Sequence, residues 1–431
     1  MIATTIDSRQ TMWWFGLSKP QWMIVLSAFL GYTMDCADLT MFNLVQIPSM
    51  RELLGNVGIA KLREAGNTII SYKLMSWGVG GVLFGVLADK WSRSKTMMLT
   101  IGIYAVCTGA SAFAPNYEVL KWLQIGSGLG IGGEYAAGAA LVVEAMAPLS
   151  QRQRSYAMAL IQSSFAAGFL LAALINLGVG ALDLGPSGWR YVLGFGFLPA
   201  LFIFFIRSKV SDPEISVRAR GQGSVRDLFV DTEVRRSTAV GIGICLAMMI
   251  GSWGGLTLLP VWISELVSQS GGTPAEAVRE VSGIFIIMML SGFPAYFLVA
   301  WLGERTWMTR KNLYRVVCAA GMLASLYMFL VNKDLAGIRM FAPVYGMCVM
   351  GGFAVFGLIL PDWFRTRNRA VGVGTSYNAS RFLSGVGLFS LLTLARSLGT
   401  PYAAAAATSA YALGFIVIPF GKETKGRPLP S

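Results

Sequence analysis

Long apolar stretches recur along the whole chain, separated by short polar segments rich in Lys and Arg. A helix crossing the hydrocarbon of a bilayer needs about 20 mostly apolar residues, since only an internally hydrogen-bonded backbone is tolerated there. By that measure the pattern predicts spans near 21–50, 68–88, 96–114, 117–146, 154–181, 190–207, 238–264, 281–302, 313–331, 338–361, 370–395 and 401–420. Two connections are sizeable: the loop after the first span, and the polar stretch from Ser208 to Ser237. The second holds Arg218, Arg220, Arg226, Arg235 and Arg236 and divides the spans six and six. The expected fold class is therefore an all-α membrane protein of twelve transmembrane helices. Its expected organisation is a six-helix bundle over 1–207, a linker over 208–237 and a second six-helix bundle with a short tail over 238–431.

The two halves repeat. A shift of 215 residues carries Asp89-Lys90 onto Glu304-Arg305, Lys95 onto Arg310, Arg152 onto Arg367 and Arg154 onto Arg369. An even number of spans per half gives the repeats parallel orientation, and two such bundles facing a central cavity make an alternating-access transporter. Placing the N-terminus inside puts 23 of the 35 Lys and Arg in cytoplasmic segments and 9 in outer ones. The positive-inside rule then sets both termini in the cytoplasm of a cell that holds the protein in its inner (plasma) membrane. Residues 1–21 lack the basic, apolar and small-residue layout of a signal peptide, so the N-terminus is expected to be retained.

Composition narrows the function. The chain is 55% hydrophobic and 13% charged, with a mean hydropathy of +0.59, whereas soluble domains carry about 25% charged residues. Its net charge of +13 would suit nucleic acid, but the basic residues sit in short loops between spans. Cys36, Cys107, Cys245, Cys318 and Cys348 all fall in apolar stretches, which is neither a disulfide framework nor a metal-ligand spacing. With no His in the chain, proton chemistry near neutral pH falls to carboxylates. No nucleophile–base set is visible, so neither an enzyme nor a cofactor is expected.

Several motifs carry candidate chemistry. Span one contains Asp35-Cys-Ala-Asp38, two carboxylates on one helix face at membrane depth. An acid there costs at least ~2.5 kcal/mol, so it should face a cavity and serve a purpose, here loading and releasing a proton. The other reading of Asp38 is a cap at a helix break. Span four reads Gln124-Ile-Gly-Ser-Gly-Leu-Gly-Ile-Gly-Gly-Glu134, where the alternate glycines permit close helix contact and Glu134 is a third candidate proton carrier. Span eleven places Tyr377, Asn378 and Arg381 together. Arg381 lies twelve residues past Arg369, ~18 Å into the span. Its planar fork suits a carboxylate, and its partner would be Asp35, Asp38, Glu134 or the substrate. Gln162 and Ser163 fall opposite Tyr377 and Asn378 under the 215-residue shift, so they and Gln124 join the candidate substrate-binding set. Lys73, in the outer part of span two, is expected to snorkel to the outer headgroups, or else to reach into the cavity.

The loop Gly85-Val-Leu-Ala-Asp89-Lys90-Trp-Ser-Arg93-Ser-Lys95 resembles the signature loop of the major facilitator superfamily, with Ser92 in place of a glycine. A looser copy runs from Gly303-Glu304-Arg305 to Arg310-Lys311. The resemblance implies a gate in which Asp89, Arg93, Glu304 and Arg305 latch the cytoplasmic side by pairing across the bundles. The D-x-x-D of span one resembles that of sialate:proton and aromatic-acid:proton symporters, the tail Gly421-Lys-Glu-Thr-Lys-Gly426 resembles the ending of sugar and organic-acid porters, and the G-x-G-x-G-G-E of span four and the Y-N-x-x-R of span eleven resemble organic-acid and sugar-acid permeases. Those permeases carry an arginine where Gln124 stands here, so its role does not transfer. The resemblance implies proton-coupled uptake of a small organic anion such as a monocarboxylate, sugar acid or aromatic acid by a monomer in the bilayer, with no nucleic-acid partner. The rival readings are efflux of a lipophilic compound by proton antiport and a membrane nutrient sensor without transport.

Overall fold

The computed structural model describes residues 17–55, 57–146, 149–182, 184–197, 227–365, 368–427 and 430. At some helical positions within these, Asp89, Arg93 and Glu134 among them, the backbone alone is described, so those three candidate side chains lie outside the described structure.

The first half comprises α1 (Lys19–Leu54), α2 (Ile59–Lys90), α3 (Arg93–Ser111), α4 (Tyr117–Ala145), α5 (Gln151–Ala181) and α6 (Gly188–Phe195). The second comprises α7 (Thr232–Gln269), α8 (Pro274–Gly303), α9 (Arg310–Leu326), α10 (Leu335–Gly352), α11 (Arg369–Leu398) and α12 (Thr400–Thr408). The ninth ends in a π-turn at Tyr327–Val331, the tenth resumes after Phe353 as Ala354–Ile359, and the twelfth resumes as Tyr411–Val417. Eight of the described helices are long and apolar enough to cross a membrane by length and composition. The expected linker over 208–237 falls largely outside the described residues. Its last part is helical, with a turn at Asp227–Val230 and the start of α7.

Helix starts follow local signals. At α5, Ser150 and Gln153 form a capping box, with the Gln153 N–H donating to Ser150 Oγ (3.3 Å) and the Ser150 N–H to Gln153 Oε1 (3.1 Å). Thr273 and Glu276 do the same at α8. These caps let consecutive helices reverse within a few residues.

Within the first half, α2 and α4 meet backbone to backbone. A Cβ on Gly80 would strike the Leu129 carbonyl, one on Gly128 the Lys73 carbonyl, and one on Gly132 the Trp77 carbonyl. The alternate glycines of span four are thus a contact surface, as expected, because only hydrogen atoms fit between the two backbones. At the end of the bundle where α1 ends and α2 begins, Arg190 ties three elements together. It donates to Glu52 Oε1 from Nε (3.0 Å) and Nη2 (2.8 Å), and to the carbonyls of Ala112 and Ala114 (3.0 and 2.9 Å).

The halves meet along α2–α11 and along α5 with α8 and α10. Gly78 abuts Phe382 and the Asn378 carbonyl, and Gly81 abuts the Asn378 side chain. In the middle, the Phe165 ring of α5 stacks on Phe353 at 5.4 Å, with Trp253 of α7 edge-on at 5.8 Å. The Phe353 carbonyl, at the pause in the tenth helix, accepts from Gln162 Nε2 (2.9 Å). Ion pairs Arg63–Glu265 (3.3 Å) and Arg396–Glu64 (3.0 Å) join the halves at one end. At the other, basic end, Ser155 donates to Glu304 (2.7 Å) and the Gly426 N–H to Gln151 (3.0 Å).

Candidate functional site

Two buried ionic centres lie along α1 and α2. The first is built around Asp38, which is 2% exposed. Lys73 Nζ donates to Asp38 Oδ2 (2.6 Å) and to Gln124 Oε1 (2.7 Å). Thr108 of α3 donates to Asp38 Oδ1 (2.6 Å) and Ser127 of α4 to Oδ2 (2.7 Å). Gln124 Nε2 completes the ring by donating to Ser111 Oγ (3.0 Å). Four helices therefore close on a single ion pair. Each charge is desolvated, and such a pair persists only where geometry and further hydrogen bonds replace the lost water.

This corrects the expectation that Lys73 snorkels to the headgroups. Its side chain is fully buried and points into the bundle, because Asp38 lies within reach and supplies the counter-ion that water would otherwise supply. It also explains Gln124. The positive charge missing from that position on α4 is furnished from α2, 2.7 Å from the Gln124 carbonyl oxygen.

The second centre surrounds Arg381 of α11, also 2% exposed. Its guanidinium lies 3.7 Å from the Trp77 ring centroid and 4.4 Å from that of Tyr377. Arg381 Nη2 donates to the Tyr32 hydroxyl (2.8 Å), which is itself 3.3 Å from the Tyr377 hydroxyl. Aromatic faces hold a guanidinium by cation–π attraction while leaving its in-plane donors for an acceptor such as a carboxylate. The Tyr32 ring continues at 6.3 Å into Phe165, so an aromatic wall runs from Arg381 to the Phe165–Phe353 stack between the halves.

The remaining candidates divide. Asp35 is fully buried one turn before Asp38 on α1. Tyr377 joins Arg381. Asn378 Nδ2 donates back to the Gly374 carbonyl (2.9 Å) and Ser163 Oγ to the Leu160 carbonyl (2.7 Å), so each makes a bond to its own helix. Gln124 belongs to the Asp38 centre rather than to that of Arg381, and Gln162 to the Phe353 contact. At the basic end, Glu304 pairs with Arg310 of its own half (2.9 Å) and takes its cross-half bond from Ser155. Arg305 lies 3.8 Å over the Trp301 ring. Lys73, Thr108, Ser127, Tyr32 and Trp77 were not singled out by sequence as members of these centres. Only Lys73 gave a signal, as a cation at membrane depth. No group of three potential metal ligands occurs among the described residues.

A family model described as Major Facilitator Superfamily matches residues 28–388. The chain belongs to that superfamily. As a member of the Major Facilitator Superfamily it is a multi-pass membrane transporter and not an enzyme. It is 28% identical over 420 residues to a probable 4-methylmuconolactone transporter of Cupriavidus pinatubonensis, covering 96% of this chain and 93% of that one. It is 25% identical to the sialic acid transporter NanX of Escherichia coli, covering 85% and 86% of the two chains. To the 4-hydroxybenzoate transporter PcaK of Pseudomonas putida it is 25% identical, covering 88% and 87%. Among solved structures, the proton:xylose symporter XylE bound to 6-bromo-6-deoxy-D-glucose superposes with a TM-score of 0.72 at 16% identity, over 95% of this chain and 97% of that one. That likeness shows the fold, two six-helix bundles.

Proposed function

We propose that this facilitator takes up a small organic anion, a monocarboxylate, sugar acid or aromatic acid, together with a proton. The observation that carries the reading is Arg381, a buried guanidinium at the meeting of the two halves, walled by Trp77 and Tyr377. Relatives named for sialic acid and 4-hydroxybenzoate transport support the substrate class. In the proposed cycle the carboxylate takes the Tyr32 hydroxyl's place on Arg381. A proton taken up by the Asp35/Asp38 pair then completes the load. If it lands on Asp38, it cancels the charge that holds Lys73, and the freed ammonium reports loading through α2. Glu134 is the reserve proton carrier. Ser155, Glu304 and Arg310 act as the latch of the basic end, with Asp89, Arg93 and Arg305 in the same gate. That end faces the cytoplasm, as do both termini, in the inner membrane. The working unit is the monomer.

The test is proton movement in proteoliposomes. A dye reports internal pH while 4-hydroxybenzoate, nicotinate, a sialic acid, benzoate and gluconate are added outside in turn. Acidification with an acid, absent with its neutral amide, is the expected result. A silent panel, with the lumen alkalinised by a lipophilic cation, would replace this reading with drug efflux by antiport.

A further inference from the structure

At the basic end a pocket lies between the halves, lined by Gln151, Arg154 and Ser155 of α5 and by Arg310 and Asp362 of the second half. Arg310 is 1% exposed. Its Nη1 donates to the Gly303 carbonyl (3.1 Å), and its Nη2 to Glu304 (2.9 Å) and Ser155 (3.3 Å). Its Nε is buried and meets no acceptor among the described residues, and the same holds for Nε2 of Gln151. Buried donors without partners are rare, because each forfeits its bond to water. Two such donors on residues that line one pocket call for an acceptor.

Charge points the same way. Asp362 lies in the field of Arg310, Arg154 and Arg369, Glu304 pairs with Arg310, and Glu423 and Lys425 lie in the same field. The guanidinium groups suit an anion, and the neighbouring carboxylates favour one of single charge over a dianion.

We propose that this pocket is a second, transient binding site for the carboxylate of the transported anion, an exit subsite distinct from Arg381. It rests on the reading of the protein as an organic-anion transporter. A carboxylate seated between Arg310 Nε and Gln151 Nε2 satisfies both donors. It also competes with Glu304 for the guanidinium and so loosens the Ser155–Glu304 contact that joins the halves. Arrival of cargo at the inner mouth thereby helps release the latch that confines it.

Two variants test the site. Gln151→Glu keeps an oxygen for the Gly426 N–H, suits the first turn of a helix, and sets a fixed carboxylate where the cargo would bind. Gln151→Leu removes the donor without adding charge. Half-saturation for the panel acid carried fastest is measured separately on each face, in right-side-out and inverted membrane vesicles. Both variants should raise the inner-face value about tenfold, the loss expected for one charge-assisted hydrogen bond, and leave the outer-face value within about twofold. An unchanged inner-face value in both means that the pocket holds water alone, and the proposal fails. A shift on both faces assigns Gln151 to the shared central pathway and also overturns it. A shift with Leu but not Glu traces the effect to the tail contact with Gly426, and the subsite is rejected. A wild type that carries no carboxylate from either face refutes the functional reading itself, and this inference with it.

Discussion

Replacing Lys73 with Met keeps most of the side chain's length and apolar body and deletes its ammonium. Asp38 then retains two hydroxyl donors, Thr108 at 2.6 Å and Ser127 at 2.7 Å, and loses the counter-ion at 2.6 Å. Removing one partner from a buried pair costs about 3–5 kcal/mol, because the remaining charge stays desolvated. Each hydroxyl bond to the ionised carboxylate returns about 1.5–3 kcal/mol. With both already in place, the expected loss is near the lower bound, about 3 kcal/mol. Asp38→Asn alone strands Lys73 in the same way. The double variant has no buried charge to strand, so its loss should be smaller than the sum of the two singles by about 0.5–3 kcal/mol, the range for residues in direct contact. Unfolding in mixed micelles, followed by tryptophan fluorescence in a denaturant series, measures all four corners of this cycle. A Lys73→Met loss below ~1 kcal/mol, or a double variant whose loss equals the sum, would refute the ion pair as the organiser of this core.

Arg381→Lys keeps the charge and loses the planar fork, so uptake of the anion should fall by about ten- to a hundredfold. Unchanged uptake kinetics would remove Arg381 from the substrate site. Gly80→Ala puts a methyl against the Leu129 carbonyl of α4 and should cost about 1–3 kcal/mol of stability. Gly102→Ala, which meets open space, is the control, and equal melting of the two would dismiss the close-contact argument. Burial pushes the Glu423 carboxyl up, but the backbone N–H groups of Arg310, Lys311 and Lys425 outweigh this and hold it below the usual carboxylate range. A depressed value in the folded state means that this docking stabilises the tail at neutral pH and is lost as pH falls through that lowered value. Hydrogen exchange of amides 421–427 should therefore speed up on acidification beyond its intrinsic pH trend. Glu423→Gln should abolish that step, and a step that survives the substitution would assign it to another group.

Much of the architecture could be read from sequence because lipid imposes it. Span length and the sign of loop charge are set by the bilayer, not by neighbours, so each stretch could be judged alone. The glycines of span four were legible for a similar reason. Alternate glycines in a membrane helix have little use other than contact, and Gly128 and Gly132 do rest on the carbonyls of Lys73 and Trp77. Partnership between helices was less accessible. Nothing within α2 says that Lys73 faces α1, since helical periodicity gives a residue's face but not which helix that face meets. Ser163 and Asn378 pose the opposite problem. Both are polar, yet each bonds a carbonyl of its own helix, an outlet that sequence cannot distinguish from lining a cavity.

The two ionic centres share a frame that only the assembled bundle reveals. Tyr32 and Asp38 are six residues apart on α1, and Lys73 and Trp77 four apart on α2. That is ~9 Å along one helix and ~6 Å along the other. Each helix therefore supplies one residue to the Asp38 centre and one to the Arg381 centre. Under the proposed coupling, a displacement of α2 that follows release of Lys73 must carry Trp77, one wall of the Arg381 centre, with it. The same helix is pinned to α11 at Gly78 and Gly81, where a side chain has no room. A close-packed contact of this kind transmits rigid movement rather than absorbing it. Proton loading and anion binding can thus influence each other with no direct bond between their sites, the connection running through the rigidity of α2.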